Sequence, residues 1–247
     1  MQHHYTYTSF QDDVIQSPDQ NASVPTDFNW RPNRLKQALV NPLATGFAQV
    51  YRLVNNIQVI GADKLTPGAF IYANHTQPLG DVFVPRTLPY PVSIIAAPAN
   101  LGLPVIGKLL SAGRAIILPS TRKQYPQFLA AIKRAHVGGQ LIVVYPEAHV
   151  WPYYTGIRPF DATSFHYPAR LHAPVFTMTT TYQAGAGPHH VKETRYIDGP
   201  YAADLSLPLK AQQQALFHQA QAQLIVRAKQ SSKALVQYIH TLEDEHD

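Results

Sequence analysis

The sequence predicts an α/β fold, a single domain with a largely parallel central sheet flanked by helices, and three observations carry that prediction. Short apolar runs of strand length recur along the chain, stretches of helical period separate several of them, and glycine or proline marks most junctions. With 247 residues and no cysteine, the chain is long enough to bury one large core without disulfide staples. The absence of cysteine also excludes Cys-ligated zinc and iron–sulfur centres.

Residues 1–40, rich in proline, asparagine and aspartate with scattered aromatics, read as an irregular arm laid over a domain spanning 41–247. Leu43, Phe47, Val50, Tyr51 and Val54 then recur at the spacing of an amphipathic helix. Such a stripe ordinarily packs on its own domain. NIQVI, AFIYAN and VSIIAAP read as short strands, and LPVIGKLLSAG as a helix with Pro104 near its start and Gly113 as its stop. After the strand AIILP, a helix over TRKQYPQFLAAIKRAHVGG places Tyr125, Phe128, Leu129 and Ile132 on one face and ends at Gly138-Gly139. The strand QLIVVYPE leads into an aromatic loop, AHVWPYYTGIRPF, and PVFTMTTTY and HVKETRYI close the sheet. From about residue 208 a last helix carries Leu209, Leu216, Ala220 and Leu224 on one stripe.

The formal net charge of +5 favours anionic partners. No Lys/Arg run has the density of a nucleic-acid arm, so a phosphate-bearing substrate or an anionic membrane is expected and nucleic acid is not. Arg31, Arg34, Lys36 and Arg52 surround the first helix, which gives it a second reading, as a helix lying among lipid headgroups. The opening residues lack the pattern of a secretory signal, and no apolar run reaches the ~18 residues of a membrane span. These features predict a soluble or surface-bound intracellular protein. The twelve histidines form no HExxH pair and no recognisable ligand set, so neither metal nor bound cofactor is expected. A GxSxG elbow is also missing, which disfavours a serine hydrolase.

Ligands of a parallel α/β sheet bind at the carboxyl ends of its strands. AFIYAN delivers Asn74 and His75 to that edge, and QLIVVYPE delivers Pro146 and Glu147. His75 and Asp81 are six positions apart and meet only if the chain turns between them, which Pro78 and Gly80 allow. A carboxylate there would fix the imidazole as in catalytic triads, leaving its other nitrogen basic. The plainer reading makes Asp81 a helix cap and His75 a surface residue.

The order NHTQPLGD, GRAIILP, YPEAHVWP, APVFTMT resembles the four sequence blocks of the glycerolipid acyltransferases, the 1-acylglycerol-3-phosphate acyltransferases and their relatives, over about residues 43–182. The resemblance implies transfer of an acyl group from a thioester, acyl-CoA or acyl carrier protein, to a hydroxyl of a lysophosphatidic acid-like acceptor, and, since such an enzyme has to reach lipid, a cytoplasmic protein peripheral on the inner face of the cell membrane. His75 would be the general base and Asp81 its partner. Asn74, Glu147 and His149 fall within the blocks and are candidate substrate contacts. Glu147 would hold its loop, meet an acceptor hydroxyl, or pair with Arg158. Backbone amides of the 147–149 turn are candidate oxyanion donors. The chain departs from the family pattern in three places. Five residues separate His75 from Asp81 where the family has four, Pro119 stands where the second block ends in arginine, and His149 and Val150 replace the Thr-Arg of the third. Arg114, Arg122 and Arg158 are the cations that would compensate by gripping an acceptor phosphate. Two alternatives stay open: a sugar or polyol acceptor, or a silent relative that binds lipid or acyl carrier without turnover.

Overall fold

Both faces of the central strands are covered, which is why AFIYAN and LIVVY are apolar throughout rather than alternating. The structure is a computed structural model that describes residues 3–15, 22–31, 33–102, 113–186 and 190–241. Seven strands form the main sheet: β2 (Gln58–Ile60), β3 (Phe70–Ala73), β4 (Val92–Ala96), β5 (Ala115–Ile117), β6 (Leu141–Val144), β7 (Val175–Ala184) and β8 (Val191–Tyr201). Their order is β2-β8-β7-β3-β6-β4-β5, and every neighbouring pair is parallel except β7–β8. The sheet is therefore largely parallel and flanked by helices, as the alternation of strand and helix patterns requires. The helix expected at 103–113 lies, except for Gly113, outside the described residues.

Phe70, Tyr72, Ile142 and Val144 point to one face, where Phe128, Ala131, Ile132 and Ala135 of α3 (Tyr125–Val137) and Leu216 and Ala220 of α4 (Leu209–Ala228) meet them. Ile71, Ala73, Leu141 and Val143 point the other way, onto Leu65, Leu88, Phe176 and Met178. The buried face of α3 is thus turned slightly from the expected stripe, leaving Tyr125 41% exposed. Gly139, at φ +71°, ends that helix in the left-handed conformation that glycine adopts without strain. Residues 22–30 of the arm lie over the same side: Trp30 Nε1 donates to the Ile117 carbonyl at 2.8 Å, and Gln124 Nε2 donates to the Val24 and Pro25 carbonyls.

The first helix differs from expectation in extent and orientation. α1 runs Arg34–Val54, starting before residue 41, with Asn33 capping the amide of Lys36. It buries only Asn41, Ala44 and Ala48, small residues that let it approach α2 (Gly80–Phe83) and the 3-10 turn Val84–Thr87 closely. Its large apolar residues face outward: Leu35, Leu39, Leu43, Leu53 and Val54 are all at least 70% exposed, and Phe47 and Val50 more than half. A second addition is a two-stranded parallel sheet of β1 (His4–Tyr7), inside the arm, and β9 (Gln237–His240). No described helix is long and apolar enough to cross a membrane.

Candidate active site

β3 ends at Ala73, and the next side chain ties the strand end to its neighbour. Asn74 Oδ1 accepts from the Thr180 amide at 2.8 Å while its Nδ2 donates to the Thr180 carbonyl at 3.1 Å. Asn74 is 1% exposed, so it holds β3 against β7 from within. The chain then turns, and Asp81, in the first turn of α2 rather than at its cap, reaches back. Its Oδ2 lies 2.8 Å from His75 Nδ1 and accepts from the Thr76 and Gln77 amides at 3.0 and 2.9 Å. An ionised carboxylate can only accept, so His75 donates from Nδ1 and its Nε2 carries the free lone pair. The ring stacks on Tyr145, centroids 4.5 Å apart, and the Tyr145 hydroxyl donates to the Asp81 carbonyl at 2.6 Å. The His75 side chain remains 20% exposed while Asp81 is 1% exposed. A base open to solvent, backed by a buried carboxylate, can take a proton from a bound hydroxyl.

Glu147 reaches this loop through the main chain: Oε2 accepts from the His75 amide at 3.2 Å and from Arg158 Nη2 at 3.3 Å, and Oε1 accepts from the Arg158 amide at 2.9 Å. Burial pushes the Glu147 carboxyl above its ordinary value, and Arg158 opposes that rise only in part. Arg158 itself is wholly buried, stacked over Trp151 at 4.9 Å, and its guanidinium donates to the Phe10 and His149 carbonyls. It therefore faces inward and leaves no fork for a phosphate. Arg114 precedes β5, level with Phe70 across the sheet register, roughly 20 Å from His75 by strand rise and spacing. The structure does not bring it to His75. His149 is 44% exposed and turns toward Asp13, its Nδ1 3.7 Å from Oδ2. The amides of Ala148 and His149 donate to the Tyr145 and Glu147 carbonyls, so the turn spends two of its expected oxyanion donors on itself.

Two residues of β8 join the site without any signal singled out in the sequence. Arg195, 0% exposed, places Nη1 3.1 Å from Asp81 Oδ1, off hydrogen-bond alignment, and donates from Nε to Glu193 Oε1 at 2.9 Å. Gln77 Nε2 donates to the other Glu193 oxygen at 2.8 Å. Burial alone would lower the Arg195 guanidinium, but Glu193 and Asp81 outweigh it, so it stays charged. The available signal was the KETR stretch, where residues two apart share a strand face. Tyr145 and Trp151 also stand beside His75 and Arg158, where the sequence offers only a strand end and an aromatic loop fit to line an acyl channel, rest at a membrane interface or cover the edge of the core. Among the described residues no cluster of three or more His, Asp or Glu is placed to hold a metal ion.

Residues 56–181, which include His75, Asp81 and Glu147, match the family model described as Acyltransferase. No curated protein matches the sequence. Among solved structures, the fold is similar to that of the 1-acyl-sn-glycerophosphate (LPA) acyltransferase PlsC from Thermotoga maritima, with a TM-score of 0.57 and 14% identity over 82% of this chain and 86% of that one. The family match takes in just over half of the chain and the whole His75–Asp81 loop: the protein belongs to the Acyltransferase family.

Proposed function

We propose that the protein acylates a hydroxyl of a lysoglycerolipid, using a thioester of coenzyme A or acyl carrier protein as donor. The observation that carries this reading is the 2.8 Å contact of His75 Nδ1 with buried Asp81, which leaves Nε2 open in a chain of acyltransferase family. His75 Nε2 takes the acceptor proton as the oxygen attacks the thioester carbonyl. The tetrahedral adduct then collapses, the thiolate leaves, and the imidazolium returns the proton to sulfur. An alcohol, which ionises only far above neutral pH, is a poor nucleophile there, and a positioned base is worth about 10²–10⁴-fold. Asp81 holds the tautomer and stabilises the imidazolium. Asn74 and Glu147 act by fixing the loop that carries His75.

Lipid access is assigned to α1. Its outward leucines, with Arg31, Arg34 and Arg52 nearby, suit an anionic bilayer surface, and the protein would sit on the cytoplasmic face. A second reading, a sugar or polyol acceptor without phosphate, is favoured by the placement of two of the three candidate cations: Arg158 turns inward and Arg114 stands far from His75.

Thiol release from acyl-CoA and acyl carrier protein thioesters, with lysophosphatidic acid, other lysolipids and polyols as acceptors, tests both readings. Acceptor-dependent release should fall at least 10²-fold in His75→Ala. Release that persists in the folded variant would remove His75 as base, and no release with any acceptor would favour a silent lipid-binding relative.

A further inference from the structure

Three charged side chains lie in series behind the His75 ring: Asp81, then Arg195, then Glu193. All three are at least nine-tenths buried. A buried carboxylate with a single cationic partner needs nothing more for neutrality, so the second carboxylate, Glu193, calls for an account. It costs burial energy, and its carboxyl is pushed above the ordinary value by desolvation despite Arg195. Its neighbours show what it touches. One oxygen takes Arg195 Nε and the other takes Gln77 Nε2, and Gln77 lies in the loop that carries His75, its amide bonded to Asp81. The pair thus grips the loop from β8 and the carboxylate from below. Gly80 shows how close the fit is: a Cβ there would lie 2.6 Å from Arg195 Nη2.

We infer that Arg195 and Glu193 are positioning residues for the His75–Asp81 pair, Arg195 anchoring the Asp81 oxygen that His75 does not use and Glu193 restoring one surplus negative charge behind the ring. The inference rests on His75 as the base. Without Glu193, the charges of Asp81 and Arg195 cancel and the imidazolium formed during proton abstraction loses its stabilising field. With both present, the three charges sum to one negative. The other titratable groups around them keep this count. Glu147 is matched by Arg158, and burial pushes the Tyr145 and Tyr182 hydroxyls upward, so both stay neutral. Tyr51 of α1, pushed up to about 12, and Tyr153, raised by burial, are neutral as well.

Glu193→Gln keeps the shape and removes the charge. Its kcat should fall about tenfold with KM for donor and acceptor within about twofold, and the acid limb of its pH–activity profile should move to lower pH by about half a unit to one unit. Arg195→Lys keeps the charge and loses the planar fork; its acid limb should stay near wild type while kcat falls. A readout independent of turnover is the tautomer of His75, seen in ring ¹⁵N shifts of the substrate-free protein. Wild type should show the proton on Nδ1, and Arg195→Lys a mixture of the two tautomers. Folded Glu193→Gln with wild-type kcat and pH profile, or folded Arg195→Lys with an undisturbed tautomer, would overturn the inference. If wild-type protein releases no thiol with any acceptor, the proposed function falls while the tautomer measurement still decides this one.

Discussion

Replacing Leu39, Leu43 and Leu53 together by glutamine separates the outward face of α1 from its packing. The three side chains are 72%, 76% and 75% exposed, so the folded protein in water gains almost nothing from them. Glutamine is a good helix former, and the inner contacts through Asn41, Ala44 and Ala48 are untouched. Fully burying a leucine is worth about 1.5–3 kcal/mol. Insertion to headgroup depth captures about half of that, roughly 1 kcal/mol for each residue. The triple variant should therefore lose about 3 kcal/mol of bilayer affinity, on the order of a 10²-fold drop in partitioning. Flotation with vesicles containing anionic lipid measures it directly, and thermal unfolding in the absence of lipid supplies the control. A variant that floats as well as wild type would refute the assignment of this face to the bilayer. A large fall in Tm without lipid would refute it differently, by showing that the leucines pack against protein.

Two further expectations concern buried and half-buried charge. Arg158→Met leaves Glu147 buried without its cation, and breaking such a pair costs about 3–5 kcal/mol; urea unfolding should show it, and an unchanged midpoint would refute the pairing. Asp198 and Arg227 address acid stability. Burial by itself would raise the Asp198 carboxyl, but the Arg227 and Gln223 side chains outweigh it and hold it below its ordinary 3.8. A carboxyl depressed in the native state adds stability that is complete above its unfolded value and lost as pH falls through the native one. As pH falls below about 4, wild type should lose more stability than Arg227→Gln, and equal losses would count against the pair.

The central strands were legible because β3 and β6 are covered on both faces, and continuous apolar runs bounded by turn residues mean little else. The turn between His75 and Asp81 was legible in the same way, since Pro78 and Gly80 allow the reversal the pair needs. Periodicity located α1 but misjudged which face is buried. It reports that large apolar residues share a face, while the packing went to the small residues on the other side. The arginines are legible only in part: the expected pairing of Glu147 with Arg158 forms, but nearness in sequence to a block does not turn an arginine toward the His75 cleft. Arg158 follows Glu147 closely and turns inward, Arg114 opens a strand three places from β3, and Arg195, far along the chain, arrives through the antiparallel pairing of β8. The β1–β9 pair left no trace, because four-residue polar strands pair only once the rest of the fold brings them together.

That pair bears on the order in which the molecule is finished. His4 pairs with Gln237, Trp151 Nε1 donates to the Asp12 carbonyl, and the Tyr238 hydroxyl donates to the Pro152 carbonyl. Arg158, which secures Glu147 and through it the His75 amide, takes its Phe10 contact from the same clasp. During synthesis the first of these segments emerges early and has to wait for residue 240 before it gains its partner. Long-range pairings of this kind form late, because their loop closure is costly until the intervening chain is compact. The Phe10 contact that helps to hold Arg158 is therefore secured only once β9 has been made, whereas Asp81, Glu193 and Arg195, the charged groups behind the His75 ring, have all been made by residue 195.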